Sequence, residues 1–271
     1  MGGESVKGAA VKWVSLFSLL STLLWITGFF IAFHDQAAKH SPPPSAEGIP
    51  AMSPKGDDGA FRIVALGDSL TRGTGDETGK GYVGYLADHI KKRTGKKILL
   101  RNLAVRGMVS EKLLGQLRLS EVQRQISDAD LILMTIGGND LFQKGKALQI
   151  KSQKDVGPVE KKFLRHLDAI FREIRKRNPN AYVFFIGLYN PFSDLAEGKT
   201  YSEIIRRWNF AAFETAEKYP RVVAVPVFDL FEIDVNGFLN VDKFHPNAEG
   251  YRRIAQRLAS LVPLAERKES G

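Results

Sequence analysis

The stretch that decides the fold is Phe61–Gly73, Phe-Arg-Ile-Val-Ala-Leu-Gly-Asp-Ser-Leu-Thr-Arg-Gly. It opens with an apolar run, Ile63–Leu66, and such a run is typical of a strand buried on both faces of a parallel sheet. The strand would place Asp68 and Ser69 at its carboxyl end, where open α/β sheets bind their ligands. Two interpretations of Ser69 stay open on this stretch: a reactive, accessible serine, or a cap of the next helix, since Asp and Ser are favoured N-caps.

Strand-like and helix-like segments alternate from Phe61 onward. The predicted strands are Phe61–Leu66, Lys97–Leu103, Leu131–Ile136, Ala181–Leu188 and Val222–Phe228. The predicted helices are Gly81–Thr94, Ser110–Ser127, Val156–Asn178, Tyr201–Tyr219 and Asn247–Val262. This alternation predicts an α/β fold with a mostly parallel, five-stranded sheet covered by helices on both faces.

An apolar run without charged side chains, Trp13–Phe33, precedes that domain and has the length of a bilayer-spanning helix. Lys7 and Lys12 lie before it, so the positive-inside rule predicts residues 1–12 in the cytoplasm and the rest of the chain outside the cell membrane. A cleaved signal peptide, which would make the protein secreted, is the alternative. Residues 34–60 are rich in Pro and Gly and predict a linker to a domain at 61–262, followed by a tail at 263–271.

The amino-acid composition and the missing motifs exclude several kinds of functional site. The 271 residues include no cysteine, which excludes disulfides, thiolate metal sites and a cysteine nucleophile. The formal charge of +9 suggests an anionic lipid or an envelope polymer as a partner, and a solvated basic surface is the favoured interpretation. No nucleic-acid recognition motif is present, so nucleic acid is not an expected partner. Walker, Gly-x-Gly-x-x-Gly and His-Glu-x-x-His motifs are also missing, and no metal or cofactor is expected.

The histidines can be sorted by position. His34 and His40 lie at the anchor boundary and in the linker, while His89 and His166 lie within predicted helices, where a packed or solvated role is the default. Only His245 lies in a loop at a helix start, three residues after Asp242. The carboxylate can fix the imidazole tautomer so that the other ring nitrogen faces a serine. The alternative is that the pair only shapes a turn.

Two further loops, after the second and third predicted strands, include Gly107 and the run Gly137-Gly138-Asn139-Asp140. Ester hydrolysis through a serine builds negative charge on the carbonyl oxygen, which needs preorganised donors. The N–H groups of Ser69 and Gly107 and the side-chain amide of Asn139 are candidates for such an oxyanion hole. Taken singly, Gly107 could be a turn residue and Asn139 a cap.

At these positions the sequence resembles the SGNH (GDSL) hydrolase superfamily. The resemblance rests on four blocks in order: Gly67-Asp68-Ser69-Leu70, Gly107, Gly137-Gly138-Asn139-Asp140 and Asp242-x-x-His245-Pro246. Within the superfamily the chain is similar to the bacterial lysophospholipase/acylhydrolase group, including YpmR-like membrane-anchored members. The resemblance implies a flavodoxin-like three-layer α/β/α sandwich, with Ser69 as nucleophile, His245 as general acid/base and Asp242 as its orienting residue.

The expected activity is that of a serine esterase or lipase acting on lysophospholipid or other acyl esters through an acyl-serine. An acyltransferase or deacetylase of a cell-envelope polysaccharide, and more remotely a non-catalytic anchored binding protein, are the alternatives. No Gly-x-Ser-x-Gly elbow occurs, which disfavours the α/β-hydrolase fold. Four aromatic residues could line an acyl pocket or belong to the core: Phe142, Tyr189, Phe192 and Trp208. Short loops predict an open site without a lid.

Overall fold

The computed structural model describes residues 59–142 and 153–263. The predicted span 13–33, most of the linker and nearly all of the tail lie outside these residues. Among the described residues, no helix is long and apolar enough to cross a membrane.

The described chain alternates strands and helices. The strands are β1 (Phe61–Gly67), β2 (Ile98–Asn102), β3 (Leu131–Thr135), β4 (Tyr182–Ile186) and β5 (Val222–Val225). The helices are α1 (Ser69–Arg72), α2 (Gly81–Thr94), α3 (Ser110–Gln116), α4 (Ser120–Asp128), α5 (Gly138–Phe142), α6 (Gln153–Arg177), α7 (Gly198–Glu217), α8 (Phe228–Glu232), α9 (Val235–Phe238) and α10 (Ala248–Leu261).

The five strands form one parallel sheet in the order β2-β1-β3-β4-β5. This confirms the predicted parallel sheet, and its order is that of flavodoxin-like sheets. The chain leaves β1 toward one side to form β2 and then crosses to the other side to form β3. The carboxyl end of β1 is therefore a topological switch point, where a crevice opens between diverging connections.

Each face of the sheet is covered by helices. On one face, α2 and α10 pack together over Ile63 and Ala65 of β1. On the other face, α6 packs its apolar side against the sheet, with the Phe171 and Phe185 rings 5.6 Å apart. All residues of β3 are buried, as are the last six of β1, while β2 and β5 at the sheet edges are only partly buried. Burial on both faces explains the continuous apolar runs of the central strands.

Two element predictions need correction. The stretch predicted as one helix, Ser110–Ser127, is two helices separated at Leu117–Leu119. The strand predicted over Val222–Phe228 ends at Val225, because Pro226 cannot donate to the ladder, and Phe228 already begins α8. The short helices α1, α5, α8 and α9 were not predicted, since four or five residues give too few turns to show a periodic pattern.

Candidate active site

The turn after β1 requires glycine at Gly67. Its φ is +116°, and a Cβ at this position would lie 1.8 Å from the carbonyl oxygen of Thr135 on β3. The N–H of Asp68 donates to that same oxygen over 3.2 Å. The close approach of the two strands therefore fixes the point at which the chain leaves the sheet and presents Ser69.

Asp68 caps the short helix α1, so the capping interpretation holds for Asp68 and leaves the Ser69 hydroxyl available. Oδ1 of Asp68 accepts a hydrogen bond from the N–H of Leu70 over 3.1 Å and another from the hydroxyl of Thr135 over 2.7 Å. Burial raises the pKa of Asp68 from 3.8 to about 6, with a smaller raising effect from the Asp140 charge, although both hydrogen bonds lower it. This carboxyl lies directly behind the serine and is nearly inaccessible to solvent.

Ser69, His245 and Asp242 form a continuous hydrogen-bonded row. The Nδ1–H of His245 donates to Oδ2 of Asp242 over 2.6 Å, and Nε2 lies 2.9 Å from Oγ of Ser69. With Nδ1 protonated, Nε2 is the acceptor that faces the serine hydroxyl. Ser69 is partly exposed, so a substrate can reach its oxygen. The structure thus brings together the three residues predicted as the catalytic group.

The Asp242 carboxylate also orders its own loop. Its Oδ1 accepts from the N–H of Phe244 over 3.0 Å and from the N–H of His245 over 2.9 Å. Partial burial by itself raises the pKa of Asp242, but the hydrogen bonds from the His245 ring and from the two backbone N–H groups outweigh it and lower the pKa. The carboxylate therefore stays ionised beside the imidazole.

The predicted oxyanion donors lie on neighbouring turns at the carboxyl edge of the sheet. Gly107 has φ +71° and is partly exposed. Within the described chain, the N–H groups of Ser69 and Gly107 donate to no protein acceptor. The Nδ2 group of Asn139 donates one proton to the carbonyl of Met108 over 2.9 Å and keeps a second proton free. This contact holds the Gly107 and Asn139 loops together.

A second set of polar contacts, not predicted from the sequence, joins the same two loops. Both carboxylate oxygens of Asp140 accept from the N–H of Ser110, at 3.0 and 3.2 Å, and Oδ1 also accepts from the Ser110 hydroxyl over 2.5 Å. The N-cap residue of α3 is Val109, which has no side-chain acceptor. Asp140, in the first turn of α5, therefore caps α3. Oγ of Ser110 lies 3.0 Å from Nδ1 of His166 on α6, so His166 has a specific polar partner.

Of the four aromatic residues considered for an acyl pocket, three are buried: Phe142, Tyr189 and Trp208. Trp208 stacks on Phe163 with 4.6 Å between ring centroids, and Tyr189 stacks on Phe231 at 4.0 Å. The Tyr189 hydroxyl also donates to the carbonyl of Phe244 over 2.5 Å, which anchors the loop before His245.

Phe142 and Phe192 form an aromatic cluster with Phe244, in which Phe142 is buried and the other two rings are partly exposed. The three ring centroids lie between 5.4 and 6.2 Å from one another. Phe244, which sequence analysis did not single out, also contacts the His245 ring at 5.1 Å. Phe192 and Phe244 therefore place a partly exposed apolar surface next to His245. In the described part of the chain, no group of three or more His, Asp or Glu side chains is placed to hold a metal ion.

The sequence of the chain matches the model of the GDSL-like lipase/acylhydrolase family over residues 65–253. The chain belongs to this family. Membership makes it a carboxylic ester hydrolase of the GDSL type, which agrees with the serine, histidine and carboxylate placed at the carboxyl edge of the sheet.

Relatives of this family member include proteins of Bacillus species. The chain is 38% identical to the uncharacterized protein YpmR of Bacillus subtilis (strain 168), over 74% of this chain and 80% of YpmR. It is 26% identical to the spore germination lipase LipC of Bacillus licheniformis, over 73% of this chain and 94% of LipC. Among solved structures, the lipase Lip_vut3 from a goat rumen metagenome is similar, with a TM-score of 0.67, 23% identity, and coverage of 74% of this chain and 96% of that one.

Proposed function

We propose that the chain is a serine acylhydrolase in which Ser69 is the nucleophile, His245 the general acid/base and Asp242 the residue that orients it. The observation that supports this most directly is the row of hydrogen bonds from Ser69 Oγ to His245 Nε2 and from His245 Nδ1 to Asp242. The oxyanion hole consists of the Ser69 and Gly107 N–H groups and the Asn139 side chain.

The reaction has two acyl-transfer steps. Ser69 Oγ attacks the ester carbonyl carbon while its proton moves to His245 Nε2, and the carbonyl oxygen becomes an oxyanion held by the three donors. The carbon–oxygen ester bond then breaks, and the leaving alkoxide takes the proton from Nε2. A water molecule next gives a proton to Nε2 and attacks the acyl-serine. The acyl–Oγ bond then breaks, Oγ takes the proton back from Nε2, and the carboxylic acid is released with Ser69 regenerated. The ionised Asp242 stabilises the imidazolium in both steps.

The substrates that we propose are lysophospholipids or other esters with an acyl chain. The aromatic cluster of Phe142, Phe192 and Phe244 supports this choice, because it offers an apolar wall beside His245 for such a chain. We also propose that the run at 13–33 anchors the protein in the cell membrane with the catalytic domain outside the cytoplasm, as the flanking Lys7 and Lys12 indicate.

The test is hydrolysis of p-nitrophenyl esters from acetate to palmitate by the full chain in a mild detergent, with Ser69→Ala as the matched control. We expect Ser69-dependent turnover that rises toward medium or long acyl chains. Phe192→Ala should flatten that rise and leave acetate turnover unchanged. Turnover confined to acetate would replace this substrate class with the deacetylation of an envelope polysaccharide. Turnover that persists in Ser69→Ala would refute the assignment of the nucleophile.

A further inference from the structure

The edge of the sheet opposite the active site is strongly basic. All five strands are parallel and in register, so the connections that lead into β2, β4 and β5 meet at one amino edge. Ten cationic side chains lie in these connections and in the helix ends before them: Lys91, Lys92, Arg93, Lys96, Lys97, Arg175, Lys176, Arg177, Lys218 and Arg221. We call this set the basic edge. Eight of its members are exposed, and only Arg93 and Arg175 are partly buried.

No member of the basic edge forms an ion pair with a carboxylate in the described chain. Other cations do have such partners: Arg172 pairs with Asp168, and Arg257 pairs with Asp229 at 2.7 Å. Partial burial and, after it, the nearby charge of Arg221 lower the pKa of Arg175, so two members of the set are close enough to repel each other. Such unbalanced charge favours the approach of an anionic partner.

Helix dipoles explain only part of this clustering. Cations are favoured in the last turn of a helix, which accounts for members such as Arg93 and Arg177 at the ends of α2 and α6. Lys96, Lys97 and Arg221 lie beyond the helix ends, where that effect fades. The helix dipoles therefore do not explain why these three cations lie at this edge.

The carboxyl edge has mixed charge. The loops after β4 and β5 expose four carboxylates, Asp194, Glu197, Asp234 and Asp242, and the turns and helix starts at this edge also expose four cations, Arg72, Arg106, Lys199 and Lys243. A seven-residue strand such as β1 separates the two edges by roughly 20 Å. The amino edge has the larger excess of positive charge, so an anionic surface would be drawn to it and not to the edge that includes Ser69.

The point of chain entry favours a bilayer over a soluble polyanion. β1 begins at Phe61, whose N–H donates to the carbonyl of Lys97 over 2.8 Å, so residues before Phe61 join the domain within the basic edge. Those residues include the predicted linker and the apolar run at 13–33. We propose that the basic edge docks on an anionic phospholipid bilayer and turns the Ser69 site away from the lipid surface.

The first test compares vesicle binding by the full chain and two matched triple variants. Lys96→Gln, Lys97→Gln and Lys218→Gln remove three of the ten charges of the basic edge, while Lys112→Gln, Lys161→Gln and Lys199→Gln remove the same charge from exposed positions elsewhere. Each lysine near an anionic bilayer strengthens binding about fivefold. Binding to vesicles of phosphatidylcholine and phosphatidylglycerol is divided by binding to vesicles of phosphatidylcholine alone, so that the contribution of the apolar run at 13–33 cancels. This ratio should be at least about tenfold lower for the first variant than for the second.

Equal binding by the two variants would overturn the proposal. So would a loss of binding to soluble polyphosphate that matches the loss on vesicles, because the edge would then recognise a polyanion and not a bilayer. Ester turnover should be unchanged in both variants, since none of the six lysines contacts the site, and Ser69→Ala should bind vesicles as the wild type does. The docking proposal can therefore fail without affecting the proposed reaction.

A second measurement reports orientation. Because the chain has no cysteine, a fluorophore can be attached at one introduced thiol. Asn180→Cys places it at the amino edge, and Lys112→Cys places it at the start of α3 near the active site. In liposomes with phosphatidylglycerol, energy transfer to a headgroup acceptor should be stronger from position 180 and should fall in 1 M salt. Equal transfer from both positions would contradict the orientation.

Discussion

The described chain includes two clusters of serine, histidine and aspartate, and their different connections separate chemistry from structure. In the first, His245 lies between the other two: one ring nitrogen donates to Asp242 and the other faces Ser69. The histidine can therefore take the serine proton while the carboxylate stabilises the resulting charge. Ser69 is partly exposed and can meet a substrate.

In the second cluster the serine lies in the middle. Ser110 is completely buried and donates its hydroxyl proton directly to Asp140 at 2.5 Å, while its oxygen faces His166. The Ser110 hydroxyl already donates its proton to a carboxylate, and within the described chain no hydrogen bond joins Asp140 to the His166 ring. The same three residue types therefore cap α3 and connect two loops. The role of such a cluster, catalytic or structural, therefore depends on two features. One is which residue lies in the middle, and the other is whether the serine is accessible to a substrate.

The first prediction contrasts the two serines. Ser69→Ala should lower kcat/KM by about 10³-fold or more, because the nucleophile is lost. Ser110→Ala should keep turnover within about tenfold of the wild type but reduce the free energy of unfolding by about 1–3 kcal/mol, because Asp140 loses a buried partner. Ester turnover and urea unfolding measure the two effects. An equal loss of turnover in both variants would remove the distinction between the clusters.

The second prediction concerns the order within the first cluster. His245→Ala should lower kcat by about 10³-fold, since among residues 59–142 and 153–263 no other base faces the Ser69 hydroxyl. Asp242→Asn should cost less, because the asparagine oxygen can still accept from the N–H groups of Phe244 and His245 and keep the loop in place. Steady-state kinetics on one ester decide this. Equal losses would mean that the charge of Asp242, and not its orienting contacts, is what catalysis needs.

The third prediction uses pH to set Asp68 apart from the carboxylates of both clusters. Its pKa is about 6 in the folded protein against an ordinary 3.8, so the folded state holds this proton more tightly than the unfolded state does. The Asp68 carboxyl therefore adds about 3 kcal/mol to the free energy of unfolding below about pH 4. This contribution is lost as the pH rises through about 6.

Asp68→Asn should remove that pH dependence, because the amide oxygen can accept from Thr135 and Leu70 as the carboxylate does and has no charge to bury. Chemical unfolding at several pH values between 4 and 6 is the measurement, and wild type and variant should diverge steadily across that range. Parallel curves would show that the Asp68 carboxyl is not the group that titrates there.

The comparison of the two clusters also shows how much of the fold and of the candidate site can be predicted from the amino-acid sequence. The parallel sheet follows from local signals, since β1 and β3 are apolar runs bounded by Gly67 and Gly137. His245 could be singled out because it lies in a loop three residues after Asp242. The second cluster could not be predicted, because Ser110 contacts residues 30 and 56 positions away in the sequence and His166 lies within a helix. Such contacts depend on how α3, α5 and α6 pack, which no local pattern reports.

The smallest expected effect comes from the histidine of the second cluster. His166→Gln should keep kcat within about twofold and change the free energy of unfolding by less than about 1 kcal/mol, because Ser110 retains its bonds to Asp140 and His166 is only partly buried. The matched change His245→Gln should abolish most turnover, since glutamine cannot accept and return a proton as imidazole does. Kinetics and thermal unfolding of the two variants test this directly. If His166→Gln lowered kcat as strongly, His166 would act on the Gly107 and Asn139 loops through Ser110, and the second cluster would belong to the catalytic machinery.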